Sequence, residues 1–534
     1  MRKRILRAAV ALAILLVALG AAAWAVARHF EPYVRALAIR YLEDRFGTGV
    51  ELGSFRVSVA VGSLWKLETA VVRVHGAGLV LPYPRAAGLP PLIKVGKFRL
   101  HSDLSALWRP QWPIREIQLE EVEINIPPRE KRPLSPAGNG PVRSDVGISV
   151  DEIQVEGMQL CILASDPAKQ ARVFEIHQLR FQSIGPDRPL RYQATLMNPT
   201  PPGHIEVSGE FGPWQKDDPG LTTVSGDYQF RRADLAVFRH IAGILSSTGR
   251  FHGVLRRLEV DGRTETPDFR LTGGNPVPLT TRFHSIVDGT SGDTLLQPVD
   301  ATLGSSRLSA RGSVIRPRGA KRGTVALDVV MTGGRIEDLL LLSVKSPQPL
   351  MRGEIGLRTK MEILPQEQAF DERLVLDGTF DVEQALFTGV SIQEKIDSLS
   401  RRAQGKPKDQ EISEMLSYIG GGFNLRDGEI RFSALTFQVL GAAVHLKGSY
   451  GLDSEQIDLH GVARLRAKLS QTMTGWKRIA LKPADPFFSK AGAGTLLPIK
   501  VTGTREKPEF GLDRVAKQKT GEKTGSADRR LANN

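Results

Sequence analysis

The chain has 534 residues, a formal net charge of +14 and one cysteine, Cys161. This length exceeds the usual size of a single hydrophobic core, so several domains or an elongated, quasi-repetitive architecture is expected. One thiol excludes an intramolecular disulfide and a cysteine-based metal cluster. Lys and Arg are dispersed except near the two ends, which argues against a nucleic-acid partner and leaves a solvated basic surface or contact with anionic lipid headgroups.

Residues 8–27 carry no charge and include Leu12, Ile14, Leu15, Leu16, Val17 and Trp24. A helix of that length rises about 1.5 Å per residue and covers a hydrocarbon core of roughly 30 Å, so a transmembrane anchor is expected. Arg2, Lys3, Arg4 and Arg7 crowd its leading side. The positive-inside bias then places residues 1–7 in the cytoplasm and the bulk of the chain across the membrane. A cleaved signal peptide is the competing reading, because the basic start, the apolar run and the small residues Ala21 to Ala25 suit one too. Trp24 and Tyr33 at the outer end suit the interfacial belt of an uncleaved anchor.

Over residues 28–48 the apolar side chains Val34, Leu37, Ala38, Tyr41, Leu42 and Phe46 recur at three- and four-residue intervals, which predicts an amphipathic helix leaving the membrane. From Val50 onward the period becomes two, as in ELGSFRVSV and VVRVHGAGLVL, and strands are expected. A recurring unit places a glycine near the middle of an alternating segment, at Gly209, Gly226, Gly312, Gly353, Gly378 and Gly448. Such glycines predict bulges, bends or close backbone approach inside long strands. VDGRTETPDFRL at 260–271 is echoed by VTGTREKPEFGL at 501–512, which suggests an internal duplication of strand, polar turn, proline and short strand.

Helices are expected to be sparse. Asp234 is placed to cap one through Ser246, a short apolar helix fits Ile336 to Val344, and a charged helical pair fits Ser391 to Arg402 and Asp409 to Tyr418. The proline-rich stretch Pro127 to Val142 predicts a solvent-exposed excursion. This divides the chain into an N-terminal β region at 49–260, a central β region at 261–390, a helical insertion at 391–419, a C-terminal β region at 420–513 and a disordered basic tail at 514–534.

Enzyme constellations are missing. The histidines form no HExxH or HxH pair, no GxxxxGK[ST] phosphate cradle or GxSxG elbow occurs, and DGTSGD at 288–293 lacks calcium-loop spacing and predicts a hairpin turn. No cofactor is implied. Paired catalytic carboxylates meet in space and leave no signature in sequence, so a hydrolase stays as one alternative. A long sheet with one apolar face needs helices, a second sheet or a ligand to cover it. A sheet curled into a trough leaves an apolar strip suited to acyl chains, whereas closure as a sandwich or barrel leaves none, and the pattern fits both. About 40 strands at most, at 4.8 Å each, keep such a trough below about 200 Å.

The span and exit helix followed by FGTGVELGSFRVS and LETAVVRVHG, and GGFNLRDGEIRFSALTFQVLGAAVHLKGSYGL with LLPIKVTGTREKPEFGLD, resemble the AsmA family over roughly a third of the chain. The resemblance implies a mainly β fold: an elongated, twisted antiparallel sheet curled into a hydrophobic groove, anchored in the bacterial inner membrane with its bulk in the periplasm. It also implies a part in outer-membrane biogenesis through phospholipid movement, without catalysis. The expected partners are phospholipid acyl chains, the inner membrane and envelope proteins. Groove-floor candidates are the alternating apolar residues Ile430, Phe432, Leu435, Phe437, Val439, Val444, Leu446 and Tyr450. An envelope assembly scaffold is the other alternative, using the same sheet to hold proteins.

Overall fold

Alternation of period two produces strands along most of the described residues. In this computed structural model the described residues are 31–513, less 44–48, 61–70, 84–88, 104–110, 128–146, 164–170, 186–187, 216–217, 239, 317–322, 366–369, 410–413, 475–481, 483–493 and 505–506. The expected anchor at 8–27, the basic tail and nearly all of the proline-rich excursion fall outside them. Among the described residues no helix is long and apolar enough to cross a membrane.

The first helix, α1, covers residues 31–43 and buries Val34 against Phe55, Val72 and Val74. The strands that follow are β1 (Glu51–Ala60), β2 (Val71–Leu81), β3 (Ile93–Asp103), β4 (Gln111–Ile126), β5 (Gly147–Ile162), β6 (Arg172–Ile184), β7 (Leu190–Pro199), β8 (Pro202–Phe211) and β9 (Thr223–Asp234). Next come β10 (Ile241–Ala242), β11 (Ile244–Val254), β12 (Arg257–Thr266), β13 (Arg270–Leu271), β14 (Leu279–Val287), β15 (Thr294–Leu303), β16 (Ser306–Ile315) and β17 (Thr324–Arg335). Helix α2 (Ile336–Ser343), β18 (Met351–Ile363), the single turn α3 (Phe370–Arg373), β19 (Leu374–Phe387) and α4 (Val390–Ala403) lead into β20 (Ser417–Arg426). The described chain ends with β21 (Glu429–Val439), β22 (Ala442–Gly451), β23 (Gln456–Leu465), β24 (Thr495–Thr504) and β25 (Pro508–Leu512).

Two compact units result, the first comprising Met1–Ala233 and Thr248–Leu255, the second Asp234–Ser247 and Arg256–Asn534. In the first, β1 to β9 pair in chain order. In the second, β12 and then β14 to β25 do so, every pair antiparallel, while β10 and β13 form a separate two-stranded sheet.

The expected all-antiparallel order fails at one place. Strands β4 and β5 run parallel, from Gln111 beside Gly147 to Ile126 beside Ile162. A parallel pair needs a return connection as long as the strand. A 16-residue strand covers about 53 Å at 3.3 Å per residue, and the segment 127–146 reaches about 66 Å when extended. The parallel pair makes the sheet of the first unit mixed.

Two helix expectations also fail. Asp234 does cap, its carboxylate accepting from the Ala236 amide, but the turn it caps is a 3-10 turn, Leu235–Val237, that gives way to β10 and β11. The β-branched Ile241, Ile244 and Thr248 pair as strand instead of extending a helix. The second arm of the charged pair, expected over Asp409 to Tyr418, has no helix among its described residues: 414–416 are irregular, and Ser417 and Tyr418 begin β20. In its place Asp397 of α4, a buried carboxylate, accepts from the Glu414 and Met415 amides and from Gln393. Helices α2 and α4 match their expected positions within one or two residues, and DGTSGD is the β14 to β15 turn, where Asp288 accepts from the Thr290 and Ser291 amides.

Helix α2 is fastened by Asp338, whose Oδ2 accepts from the Ser305 amide, the Ser305 hydroxyl and the buried Ser306 hydroxyl at 2.9, 3.0 and 2.7 Å. Replacing Asp338 with Ala leaves the fully enclosed Ser306 hydroxyl with only the Arg335 carbonyl, at 3.4 Å, to accept from it, and removes the acceptor of the Ser305 amide and hydroxyl. The expected loss is about 2–3 kcal/mol of unfolding free energy, read from denaturant midpoints.

Candidate functional site

The eight proposed floor residues stand on one face of the β21–β22 hairpin. Ile430 is opposite Tyr450, Leu435 opposite Leu446 and Phe437 opposite Val444, while Val439 faces Ala442 and Phe432 faces Gly448. Strict alternation would send Phe432 and Leu435 to opposite faces, because they are three residues apart. A register shift between them restores the match, as an extra residue in a bulge does.

These residues belong to longer transverse rows. Leu308, Met331, Leu357, Phe380, Gly421, Leu435, Leu446, Gly461, Ile499 and Leu512 follow one another in register across β16 to β25. Ten strands at about 4.8 Å spacing make this row about 43 Å long. A parallel row contains Phe423, Phe432, Gly448, Leu459, Val501 and Phe510. Phe380 lies edge-on to both Phe423 and Phe432, with ring centroids 6.0 and 6.5 Å apart.

The first unit repeats the device. Leu79, Val95, Val122, Met158, Ile176, Leu196, Ile205 and Phe230 form a row across β2 to β9, and Phe98, Leu119, Val155, Leu179, Ala194, Val207 and Tyr228 form another. The rows are again three residues apart along β3, β4 and β5. Between them Gly78, Glu121 and Gly157 have positive φ, 68°, 57° and 67°, so an aligned line of irregularity turns both rows to one face. These first-unit rows were not among the sequence-derived candidates, for the aligned bulges break the alternation that would have pointed to them. Tyr192 continues this face, donating to the Ser225 carbonyl, and burial first, then Asp227, pushes its hydroxyl up to about 12.

Burial along the second-unit rows is graded. At one end of the strands α2 covers Met331, Ile355 and Val382, and α4 covers Val439, Ala442 and Leu465. Val382 is 1 % exposed and Val439 8 %. Further along the rows Leu357, Phe380, Phe432, Ile430 and Tyr450 are only half-buried, while Val444, Leu446 and Ala463 are buried among strand residues alone. Two apolar clusters are built from neighbouring strands alone, and the others add a helix or the β13 segment beside them.

The opposite face is polar. Arg311, Asp328, Lys360, Asp377, Asn424, Arg431, Ser449 and Asp458 follow one another in register across β16 to β23. In the first unit Arg180 meets Glu152 at 2.6 Å, and this hydrogen bond holds the Glu152 carboxyl below the usual range. Exposed pairs of this kind add little stability but keep that face wet. Cys161 is half-buried and free; burial first, then Glu123 nearby, pushes its thiol up. Among the described residues no group of three or more His, Cys, Asp or Glu is placed to hold a metal ion.

His460 of β23 lies between two carboxylates, Nδ1 at 2.7 Å from Asp513, which follows β25, and Nε2 at 3.0 Å from Asp458, with Lys447 and Lys500 as its cross-strand neighbours. The Asp513 bond is the larger cause, and the Asp458 bond a further one, of a raised histidine pKa. The stabilisation is therefore full below the unfolded-state value of about 6.5 and is lost as pH rises through the higher folded value. Protection of the β25 amides against hydrogen exchange, corrected for intrinsic rate, is expected to fall over that rise in wild type and to stay flat in His460→Gln.

No protein-family model, curated protein or solved structure matches the chain. The functional reading therefore rests on the residues themselves and on the resemblance of their motifs.

Proposed function

We propose that this chain is an AsmA-like envelope protein, anchored in the bacterial inner membrane with its bulk in the periplasm, that carries phospholipid along a hydrophobic β-groove in outer-membrane biogenesis. The observation that carries this reading is the two-faced sheet, with apolar rows on one side, charged rows on the other, and a stretch of the apolar face at Ile430, Phe432, Phe380 and Tyr450 that stays half-buried. Acyl chains gain about 0.8 kcal/mol per buried methylene on such a floor, while headgroups stay in water. Movement of this kind breaks no bond and needs no cofactor, because the gain is spread along the row and no single position traps the lipid.

The test is mass spectrometry of organic extracts from the full-length protein purified in a mild detergent, together with uptake of a fluorescent phospholipid. Co-purifying phospholipid and saturable uptake are expected. Absence of both overturns the reading.

A second reading, an envelope assembly scaffold, is favoured by β25. This strand pairs with β24 only, among the described residues, and exposes Phe510 and Leu512 by 68 % and 56 %. An edge of that kind is a template for another strand. Protein partners recovered by crosslinking through β25, without lipid, favour the scaffold.

A further inference from the structure

A hollow of about 710 Å³ opens on the polar face of the second unit. Its charged and hydroxyl side chains alternate along the strands with the apolar rows, of which Leu308 alone is in its lining. Two transverse rows of side chains line it. One contains Arg263, Arg282, Asp300 and Ser309 in register, the other Thr280, Thr302 and Arg307. Register shifts between Arg282 and His284 and between Leu296 and Val299 flank it, and bulges bend strands, which accounts for a concavity on a face that is otherwise an open sheet surface.

The charges in it are unbalanced. Arg263 and Arg282 are direct cross-strand partners, a like-charge arrangement that destabilises a sheet pair. Arg263 has Glu265 at 2.8 Å. Arg282 and Arg307 have no carboxylate within ion-pairing distance among the described residues, although Asp300 is the register neighbour of Arg282. The contrast is close by on the same strands, where Arg311 meets Asp328 at 3.6 Å.

We propose that this hollow binds a phosphoryl group carried on a small polyol. A tetrahedral dianion offers acceptor oxygens in several directions, so guanidinium groups from β14 and β16 and hydroxyls from β14 and β15 can donate to it together. A carboxylate brings one negative charge and lone pairs confined to one plane, so it matches donors from three strands less well than a dianion does. Bound phosphate relieves the repulsion between Arg263 and Arg282. Asp300 repels the anion itself and accepts instead from a hydroxyl on the polyol, which sets glycerol phosphate above bare phosphate. A free phosphorylated polyol and a phospholipid headgroup share this chemistry.

Full-length protein in a phosphate-free maltoside detergent is titrated calorimetrically with inorganic phosphate, with glycerol 3-phosphate and with a short-chain phosphatidylglycerol below its micelle concentration. Saturable binding of glycerol 3-phosphate, weakened about tenfold or more in Arg282→Ala and in Arg307→Ala and unchanged in Arg311→Ala, supports the site. Competition by the short-chain lipid assigns the headgroup as source, and its exclusion assigns the free polyol phosphate. Circular dichroism shows whether the variants fold, and Arg282→Lys, which keeps the charge but loses the fork, is expected to bind at an intermediate level. Absence of saturation by any of the three ligands overturns the proposal, as does binding that is equal in wild type and in folded Arg282→Ala.

Discussion

Phe432→Asp is expected to abolish phospholipid recovery while leaving the protein folded, and Val444→Asp is expected to unfold it. Both residues stand in the same hairpin and on the same face, so hydrophobicity does not distinguish them. Cover does. Val444 is 7 % exposed and sits in a cluster with Leu446, Ala463 and Leu497, where a carboxylate must lose its hydration or take up a proton. That substitution is expected to cost about 3 kcal/mol or more. Phe432 is half-buried and faces Gly448 across the strand pair, so its replacement keeps a path to water and is expected to cost about 2 kcal/mol or less. A carboxylate in the middle of the row nevertheless interrupts the apolar surface that a sliding acyl chain requires. The checks are thermal unfolding of both variants and the phospholipid-to-protein ratio in extracts of the folded one. If Phe432→Asp also unfolds globally, the face is a closed core and the groove reading fails; if it folds and retains wild-type lipid, the floor lies elsewhere.

The strands were legible in the sequence because a half-buried sheet writes its two faces into alternate residues, and the C-terminal region alternates well enough for all eight floor candidates to fall on one face. The mid-strand glycines at Gly209, Gly312, Gly378 and Gly448 were legible as places of close approach, and a Cβ at each meets a neighbouring strand's backbone. What was hidden has particular causes. The parallel pair β4 and β5 has the same residue pattern as an antiparallel pair, and strand sense depends on the path of the connection between them. The segment after Asp234 has helix-like spacing and a valid cap, but its β-branched residues find strand partners far along the chain. The duplicated motif is real in outline and different in use: after β12 the PDFRL copy leaves the sheet to pair with β10, whereas the PEFGL copy stays on β24 as β25. Partner choice of that kind is a tertiary decision. The arginine hollow was hidden for the same reason, since Arg263, Arg282 and Arg307 are scattered in sequence and meet only through the register of four strands.

Gly448→Ala is expected to destabilise the second unit by about 2–4 kcal/mol, several times the effect of Gly157→Ala in the first. The two glycines differ in what an added methyl meets. Gly157 has φ of +67° and nothing within 4 Å of the new atom, so its substitution costs only the left-handed conformation, about 1 kcal/mol. Gly448 has φ of +145°, and a Cβ there runs into the Asp458 carbonyl and the Leu459 backbone of β23. Relief requires β22 and β23 to separate, which stretches ladder hydrogen bonds on both sides of the residue. Gly312, Gly421 and Gly461 meet neighbouring carbonyls in the same way; Gly448 stands in register between Phe432 and Leu459, Gly461 between Leu446 and Ile499, Gly421 between Phe380 and Leu435, and Gly312 between Leu296 and Leu327. Small residues between large ones let adjacent strands approach on the apolar side, so the sheet is free to bend toward that face at these positions. Denaturant unfolding of the two alanine variants gives the stability difference. If the bend is what shapes a groove, the surviving folded fraction of Gly448→Ala also recovers less phospholipid than Gly157→Ala, and equal recovery separates the packing role of the glycine from any part in binding.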